Sequence, residues 1–398
     1  MTIKLSHILL LSGISILIVL IIIGRNSHSF FSRNPKIVNI ESNTTDRITT
    51  TRSDPNYSYL FNETKNKLPV LVWIPGGGLS SFVFAFSGIG PYLIKDNKAV
   101  DNPYKAPNSQ LFLDVGGLGY SDHPKFSYKT SDHELIKEYV KYLSKILSNK
   151  PKNIILAGVS YGGKLAILLN EALKHTNIEV HSLILITPYI DPYHSMAFIP
   201  ERVINISRLN DTDTKYYENL KTSFQSSINQ RDFPSIKTYM DSDGLFTKFV
   251  QKKLNIKELN LWDIRNYNKP TLGNWEIPRK LKEIQNFLIT NNISHLFDET
   301  YNISNPLINS EYMMNDSSWE ILAWTTNSYM VGVHDNLRNI KIPVKIFSGT
   351  DDIITSYIGL SNIQQETYNP NIEYFILQNG PHLSIMLEEF AAKILKQI

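Results

Sequence analysis

The run Gly158-Val159-Ser160-Tyr161-Gly162 follows the apolar segment Asn153-Ile154-Ile155-Leu156-Ala157 without a break, and apolar residues recur at helical spacing from Gly163 to Leu173. A buried strand that passes into a helix within so few residues forces the central residue into a strained backbone conformation, which is tolerable only between small neighbours. The flanking glycines supply that room. A serine at the apex has its Oγ lifted clear of the strand end, the arrangement of a nucleophile elbow. The five residues alone are a moderate signal; the strand before and the helix after make it a strong one.

The rest of the chain is large enough to surround such a turn with a core. It has 398 residues, 42% of them hydrophobic and 19% charged, which suits one large α/β domain or two domains. A net charge of +3, with basic residues scattered and no aromatics interleaved among them, argues against nucleic acid as a partner. Residues 8–24 form an uncharged stretch rich in Ile and Leu, with Lys4 before it and Arg25 after. Its length lies between a signal-peptide core and a spanning helix, so residues 1–25 read as a cleaved signal or an uncleaved membrane anchor. Both outcomes place the remainder in the secretory pathway, lumenal, extracellular or secreted. The chain has no cysteine to form disulfides there, so stability must come from the core. Eight Asn-x-Ser/Thr sequons, at Asn43, Asn56, Asn62, Asn205, Asn210, Asn292, Asn302 and Asn315, are glycan acceptors in such a compartment.

Residues 26–55 are polar and lack apolar periodicity, and read as a stem, with the folded part starting near Tyr57. Short apolar runs then recur at 70–74, 111–114, 154–158, 183–187, 344–348 and 374–377, as buried parallel strands would. Helical patterns at 134–147, 164–173 and 385–395 lie between or after them. The segment 194–340 interrupts the alternation with polar and aromatic sequence and helix-like pieces at 214–227 and 279–288. Strands resume after it, so it reads as a cap inserted into a core formed by 56–193 and 341–398. With the elbow, this pattern predicts an α/β-hydrolase fold: a mostly parallel central sheet flanked by helices, carrying an inserted helical cap.

A serine hydroxyl is a weak nucleophile until a base takes its proton, and the base needs an acid to orient it. In this fold class the acid and then the histidine follow the serine, each in a loop after a late strand. Of ten histidines, only His382 follows the last strand, in Asn379-Gly380-Pro381-His382. The acid is expected in Gly349-Thr350-Asp351-Asp352, after the preceding strand. A tetrahedral oxyanion needs two preorganised N–H donors. Tyr161 would supply one, and the loop Pro75-Gly76-Gly77-Gly78-Leu79-Ser80-Ser81 the other. That loop lacks the spacing of a phosphate-binding motif, and no His/Cys/Asp cluster has metal-ligand spacing, so neither a metal nor an organic cofactor is expected.

Several blocks in one order resemble the serine carboxypeptidase family, a branch of the α/β-hydrolase fold, from about Tyr57 to the C-terminus. They are Leu71-Val72-Trp73 with the glycine loop and Ser80-Ser81, Gly90-Pro91-Tyr92, Leu111-Phe112-Leu113-Asp114 with Gly119-Tyr120-Ser121, the elbow itself, Leu261-Trp262-Asp263-Ile264-Arg265, and the late Asp and His turns. The resemblance implies Ser160 as nucleophile, His382 as base, Asp352 as orienting acid with Asp351 the second choice, and the N–H groups of Gly77 and Tyr161 as the oxyanion hole. Gly76 and Gly78 would line the substrate. It further implies release of C-terminal residues from peptides through a seryl acyl-enzyme. At the positions where family members hold the substrate's terminal carboxylate, this chain has Pro75, Gly88 and Val159, which lack the side-chain groups to do so. An esterase or acyltransferase acting on another small acyl substrate, and a catalytically silent binding ectodomain, are the alternatives.

Overall fold

In a computed structural model of the chain, the described residues are 47–54, 57–76, 84–113, 132–191, 211–230, 244–254, 332–350, 368–382 and 384–398, with single positions elsewhere. The apolar stretch 8–24 lies outside them. Among the described residues, no helix is long and apolar enough to cross a membrane.

The strands are β1 Arg47–Asp54, β2 Tyr57–Glu63, β3 Val70–Ile74, β4 Tyr92–Lys95, β5 Lys98–Asp101, β6 Gln110–Leu113, β7 Asn153–Val159, β8 Glu179–Ile186, β9 Val344–Gly349 and β10 Ile372–Leu377. Eight of these form one sheet among the described residues, in the order β1-β2-β6-β3-β7-β8-β9-β10. From β6 to β10 every pairing is parallel, while β1 and β2 add an antiparallel edge. The parallel strands β3 and β7 are apolar without alternation because both faces of the sheet are covered. All six late or central apolar runs expected from the sequence are strands here.

Helices α1 Asp132–Ile146 and α2 Tyr161–Leu173 cover one face, and α6 Glu388–Leu395 covers the other. Helix α1 buries Leu135, Ile136, Tyr139, Tyr142 and Leu143, a stripe at the spacing of one helical face. Helix α2 buries Leu165, Ala166, Ile167, Leu169 and Leu173. Each large apolar side chain so buried contributes about 1.5–3 kcal/mol. Helices α3 Asp211–Asn229 and α4 Leu245–Leu254 fall between β8 and β9 in the chain, inside the segment read as a cap, and α5 His334–Asn339 leads back into the sheet. Aromatic rings hold α3 to α4: Tyr217 lies 5.5 Å from Phe249, and Phe224 meets Phe246 edge-on at 5.1 Å.

Three expectations change. The sheet begins at Arg47 rather than near Tyr57, because the β-branched run Ile48-Thr49-Thr50-Thr51 pairs with β2. Its polarity hid it from a search for apolar periodicity. The helix expected over 385–395 is two pieces, a 3-10 turn Ser384–Met386 and α6, separated by Leu387 in extended conformation. Finally, Asn62 is 1% exposed within β2, so its sequon is closed to a glycan in the folded protein.

Candidate active site

Five parallel strands, β3, β7, β8, β9 and β10, end at one edge of the sheet, and register decides what meets there. Ile74 at the end of β3 lies beside Gly158 in β7, Ile186 at the end of β8 beside Phe347, and Leu377 at the end of β10 beside Gly349. The segments that follow β3 and β7, and those that follow β9 and β10, therefore emerge at the same edge, on either side of the end of β8.

Ser160 links β7 to α2 with φ 54° and ψ −123°, a conformation that costs a non-glycine residue about 1–3 kcal/mol. Hydrogen bonds hold it there. Its N–H donates to the Ile186 carbonyl at 3.0 Å, and its carbonyl accepts from the N–H groups of Gly163 and Tyr189, each at 2.9 Å. The glycines on both sides are required by contact: a Cβ on Gly158 would lie 2.3 Å from the Gly162 carbonyl oxygen, and one on Gly162 would lie 2.2 Å from that of Ile74. A Cβ on Gly76 would meet the Ser160 Cβ at 2.9 Å, so the backbone at Gly76 lies directly against the nucleophile position.

His382 brings Nε2 to 3.0 Å from Ser160 Oγ, across 222 residues of sequence. Its Nδ1 lies 3.0 Å and 3.2 Å from the two carboxylate oxygens of Asp352. With an ionised Asp352, which can only accept, Nδ1 carries the hydrogen, leaving the Nε2 lone pair to accept from the serine hydroxyl. Asp352 is 1% exposed. Burial opposes its ionisation, but the attraction of His382 and hydrogen bonds from His382 and Thr355 outweigh it and hold the carboxyl below the usual carboxylate range.

Two residues absent from the sequence reading support this arm. The backbone N–H of Thr355 donates to Asp352 Oδ1 at 2.9 Å, and its hydroxyl lies 2.7 Å from Oδ2 and 3.0 Å from the Thr187 carbonyl. Thr187, at φ 43°, donates from Oγ1 to the His382 carbonyl at 3.0 Å. The Asp-x-x-Thr spacing of 352 and 355 is a usable local signal, since an Asp side chain commonly accepts from the backbone N–H two or three positions on. Nothing local marked Thr187.

Of the residues expected at the site, Ser160, Asp352 and His382 are joined by hydrogen bonds, and Gly76 and Tyr161 adjoin the serine. Tyr161 opens α2, where the N–H end of the helix dipole favours negative charge. Gly77, Gly78, Asp351 and the blocks at 114–121 and 261–265 lie outside the described residues.

A sequence model described as serine carboxypeptidase matches residues 45–375. The chain belongs to the serine carboxypeptidase family. Among its relatives, "Serine carboxypeptidase S10 family member 1" of Dictyostelium discoideum is 26% identical over 199 residues, covering 46% of this chain and 48% of that protein. "Pheromone-processing carboxypeptidase kex1" of Neosartorya fischeri is 23% identical over 344 residues, covering 77% of this chain and 51% of the relative. The chain thus spans about half the length of these curated relatives. Among solved structures, the prohormone-processing carboxypeptidase Kex1 of Saccharomyces cerevisiae aligns with a TM-score of 0.60 at 13% identity, covering 91% of this chain and 89% of that one. At that identity the likeness is one of fold, and it agrees with the α/β-hydrolase architecture described above.

Pro75, Gly88 and Val159, the three positions expected to lack carboxylate-binding side chains, are all buried. Val159 is fully enclosed next to the serine, and Pro75 is buried at the end of β3. Gly88 is packed against the C-terminal segment, where an added Cβ would lie 2.7 Å from the Ala391 Cβ. A larger polar residue at position 88 would need that segment to move.

Proposed function

We propose that the protein is a serine-type carboxypeptidase-like hydrolase that releases C-terminal residues from peptides through a seryl acyl-enzyme. The observation that carries this reading is the unbroken hydrogen-bonded line Ser160 Oγ, His382, Asp352, with both links at 3.0 Å. In the first half-reaction Ser160 Oγ attacks the scissile carbonyl carbon as its proton passes to His382 Nε2. Asp352 keeps the imidazole in the required orientation and stabilises the imidazolium that forms. The oxyanion is met by N–H groups of Tyr161 and the glycine loop at Gly77. His382 then gives the proton to the leaving amine, and an acyl ester remains on Ser160. In the second half-reaction water, deprotonated by His382, attacks that ester and restores the serine.

A second reading rests on the buried Val159, Pro75 and Gly88. None of the three can hydrogen-bond a terminal carboxylate through a side chain, which favours an esterase, amidase or acyltransferase of the same fold. The two readings separate on blocked dipeptides with free or amidated C-termini. A kcat/KM at least about tenfold higher for the free acid, roughly 1.4 kcal/mol, supports the carboxypeptidase, and parity supports the second reading. The apolar stretch at 8–24 supports delivery to the secretory pathway, as an anchored or secreted protein.

A further inference from the structure

Beneath the nucleophile helix lies a set of charged groups that the reaction above does not touch. Lys164, in the first turns of α2, is 1% exposed, and its Nζ lies 2.8 Å from Asp132 Oδ2. The other oxygen of that carboxylate, Oδ1, accepts a hydrogen bond from the Tyr161 hydroxyl. Asp132 opens α1, and both it and Tyr161 are buried, so this cluster ties together the N-terminal turns of the two helices on one face of the sheet.

Stability does not account for the arrangement. Taking an ammonium and a carboxylate out of water costs several kcal/mol per ion, and well-packed apolar residues commonly serve as well or better. A cation near the N-terminus of a helix also opposes the macrodipole. Burial pulls the Lys164 ammonium below the ordinary lysine range, with Asp132 and Asp191 acting in the opposite direction. What the cluster does achieve is to fix Tyr161, the residue directly after Ser160. Its side chain and its backbone N–H hang from one Cα, so anchoring the hydroxyl limits the freedom of the peptide unit beside the nucleophile.

We propose that Asp132 and Lys164 are positioning residues for acyl transfer: Lys164 holds the Asp132 carboxylate in place, Asp132 holds the Tyr161 hydroxyl, and the Tyr161 N–H is thereby aimed at the developing oxyanion. This rests on the reading of Ser160 as nucleophile. Loss of an oxyanion donor typically costs a factor of 10²–10³ in kcat, and misaiming one costs part of that.

The test compares Tyr161→Phe, Asp132→Asn, Lys164→Met and Lys164→Arg with wild type in full-length protein. The measurements are kcat and KM on a chromogenic ester, the rate of labelling by a fluorophosphonate, and thermal melting. Tyr161→Phe is expected to lower kcat about tenfold, with KM within about a factor of two, the protein folded with melting lowered by the loss of one buried hydrogen bond, and labelling slowed by the same factor as kcat. Asp132→Asn should lose at least as much, and Tyr161→Phe combined with Asp132→Asn no more than Asp132→Asn alone, because the two act as one unit. Lys164→Arg should recover most of what Lys164→Met loses; if Lys164→Met does not fold, Tyr161→Phe and Asp132→Asn decide. Wild-type kcat in folded Tyr161→Phe and Asp132→Asn overturns the proposal, as does a rise in KM at constant kcat, which would assign the cluster to substrate binding. If wild-type protein shows no Ser160-dependent labelling, the hydrolase reading itself falls and the positioning role falls with it. Labelling that persists at an equal rate in all variants removes the positioning role alone.

Discussion

The two halves of the active site are held by different kinds of force. On the serine side, position is set by contact: Gly158, Gly162 and Gly76 leave no space for even a Cβ, and Ser160 is seated in its strained conformation by backbone hydrogen bonds to Ile186, Gly163 and Tyr189. On the acid and base side, position is set by polar side chains reaching across the fold. Thr355 bonds to Asp352, and Thr187 bonds to the carbonyl of His382, 195 residues away in sequence. The contrast implies that the serine arm fails by losing its fold, whereas the acid and base arm fails by losing its geometry while the fold survives.

Asp352→Asn is the sharpest way to break the second arm alone. An amide at this position stabilises the wrong imidazole tautomer, and kcat should fall about 10⁴-fold, near 5.5 kcal/mol, while the protein still folds with a melting temperature lowered by the loss of the ionised carboxylate. Steady-state kinetics alongside a thermal melt checks both halves of that expectation. Gly162→Ala breaks the first arm. Its new methyl would sit 2.2 Å from the Ile74 carbonyl oxygen, against backbone that cannot yield cheaply, so unfolding free energy should drop by about 3 kcal/mol or more in denaturant titration. A Gly162→Ala protein with wild-type stability would contradict the contact account.

What was legible in the sequence follows the same division. The elbow was readable because its cause is local: glycines at fixed offsets between a strand pattern and a helix pattern. His382 and Asp352 were readable because strand order fixes which loops share an edge. Thr187 was not, since its role depends on a hydrogen bond to a loop that arrives only after the sheet is assembled. Nor was the partner of Lys164, which is followed in α2 by the apolar run Leu165–Leu169 and meets Asp132 only when α1 and α2 pack. Strand β1 escaped because its Thr residues pair through the backbone without an apolar stripe. The hairpin of β4 and β5 was missed although Asp96 and Asn97, both at positive φ, occupy a two-residue turn that favours these residue types.

Smaller perturbations sharpen the comparison. Thr355→Val removes the side-chain hydrogen bond to Asp352 but keeps the backbone one. It should cost about 1–2 kcal/mol of stability and a modest fraction of kcat, with Thr355→Ser close to wild type in a thermal melt. The weakest expected effect is on the acid limb. The folded-state carboxyl of Asp352 ionises below its ordinary range, so its stabilising contribution is complete above about pH 4 and is lost as pH falls through the depressed value. Thr355→Val removes one bond that favours the ionised form, so in melts recorded between about pH 2 and pH 6 its acid loss should be smaller, and level off at higher pH, than in wild type. Coincident acid limbs would show that Thr355 does not help to keep Asp352 ionised.

The central claim is that His382, oriented by Asp352, activates Ser160. Its most direct test is covalent labelling by a fluorophosphonate followed by mass spectrometry of the modified peptide, on wild type, Ser160→Ala and His382→Ala. The account predicts one adduct on Ser160 in wild type, none in Ser160→Ala, and a labelling rate at least about 10³-fold lower in folded His382→Ala. An adduct that persists in Ser160→Ala, or labelling of His382→Ala at the wild-type rate, would contradict it.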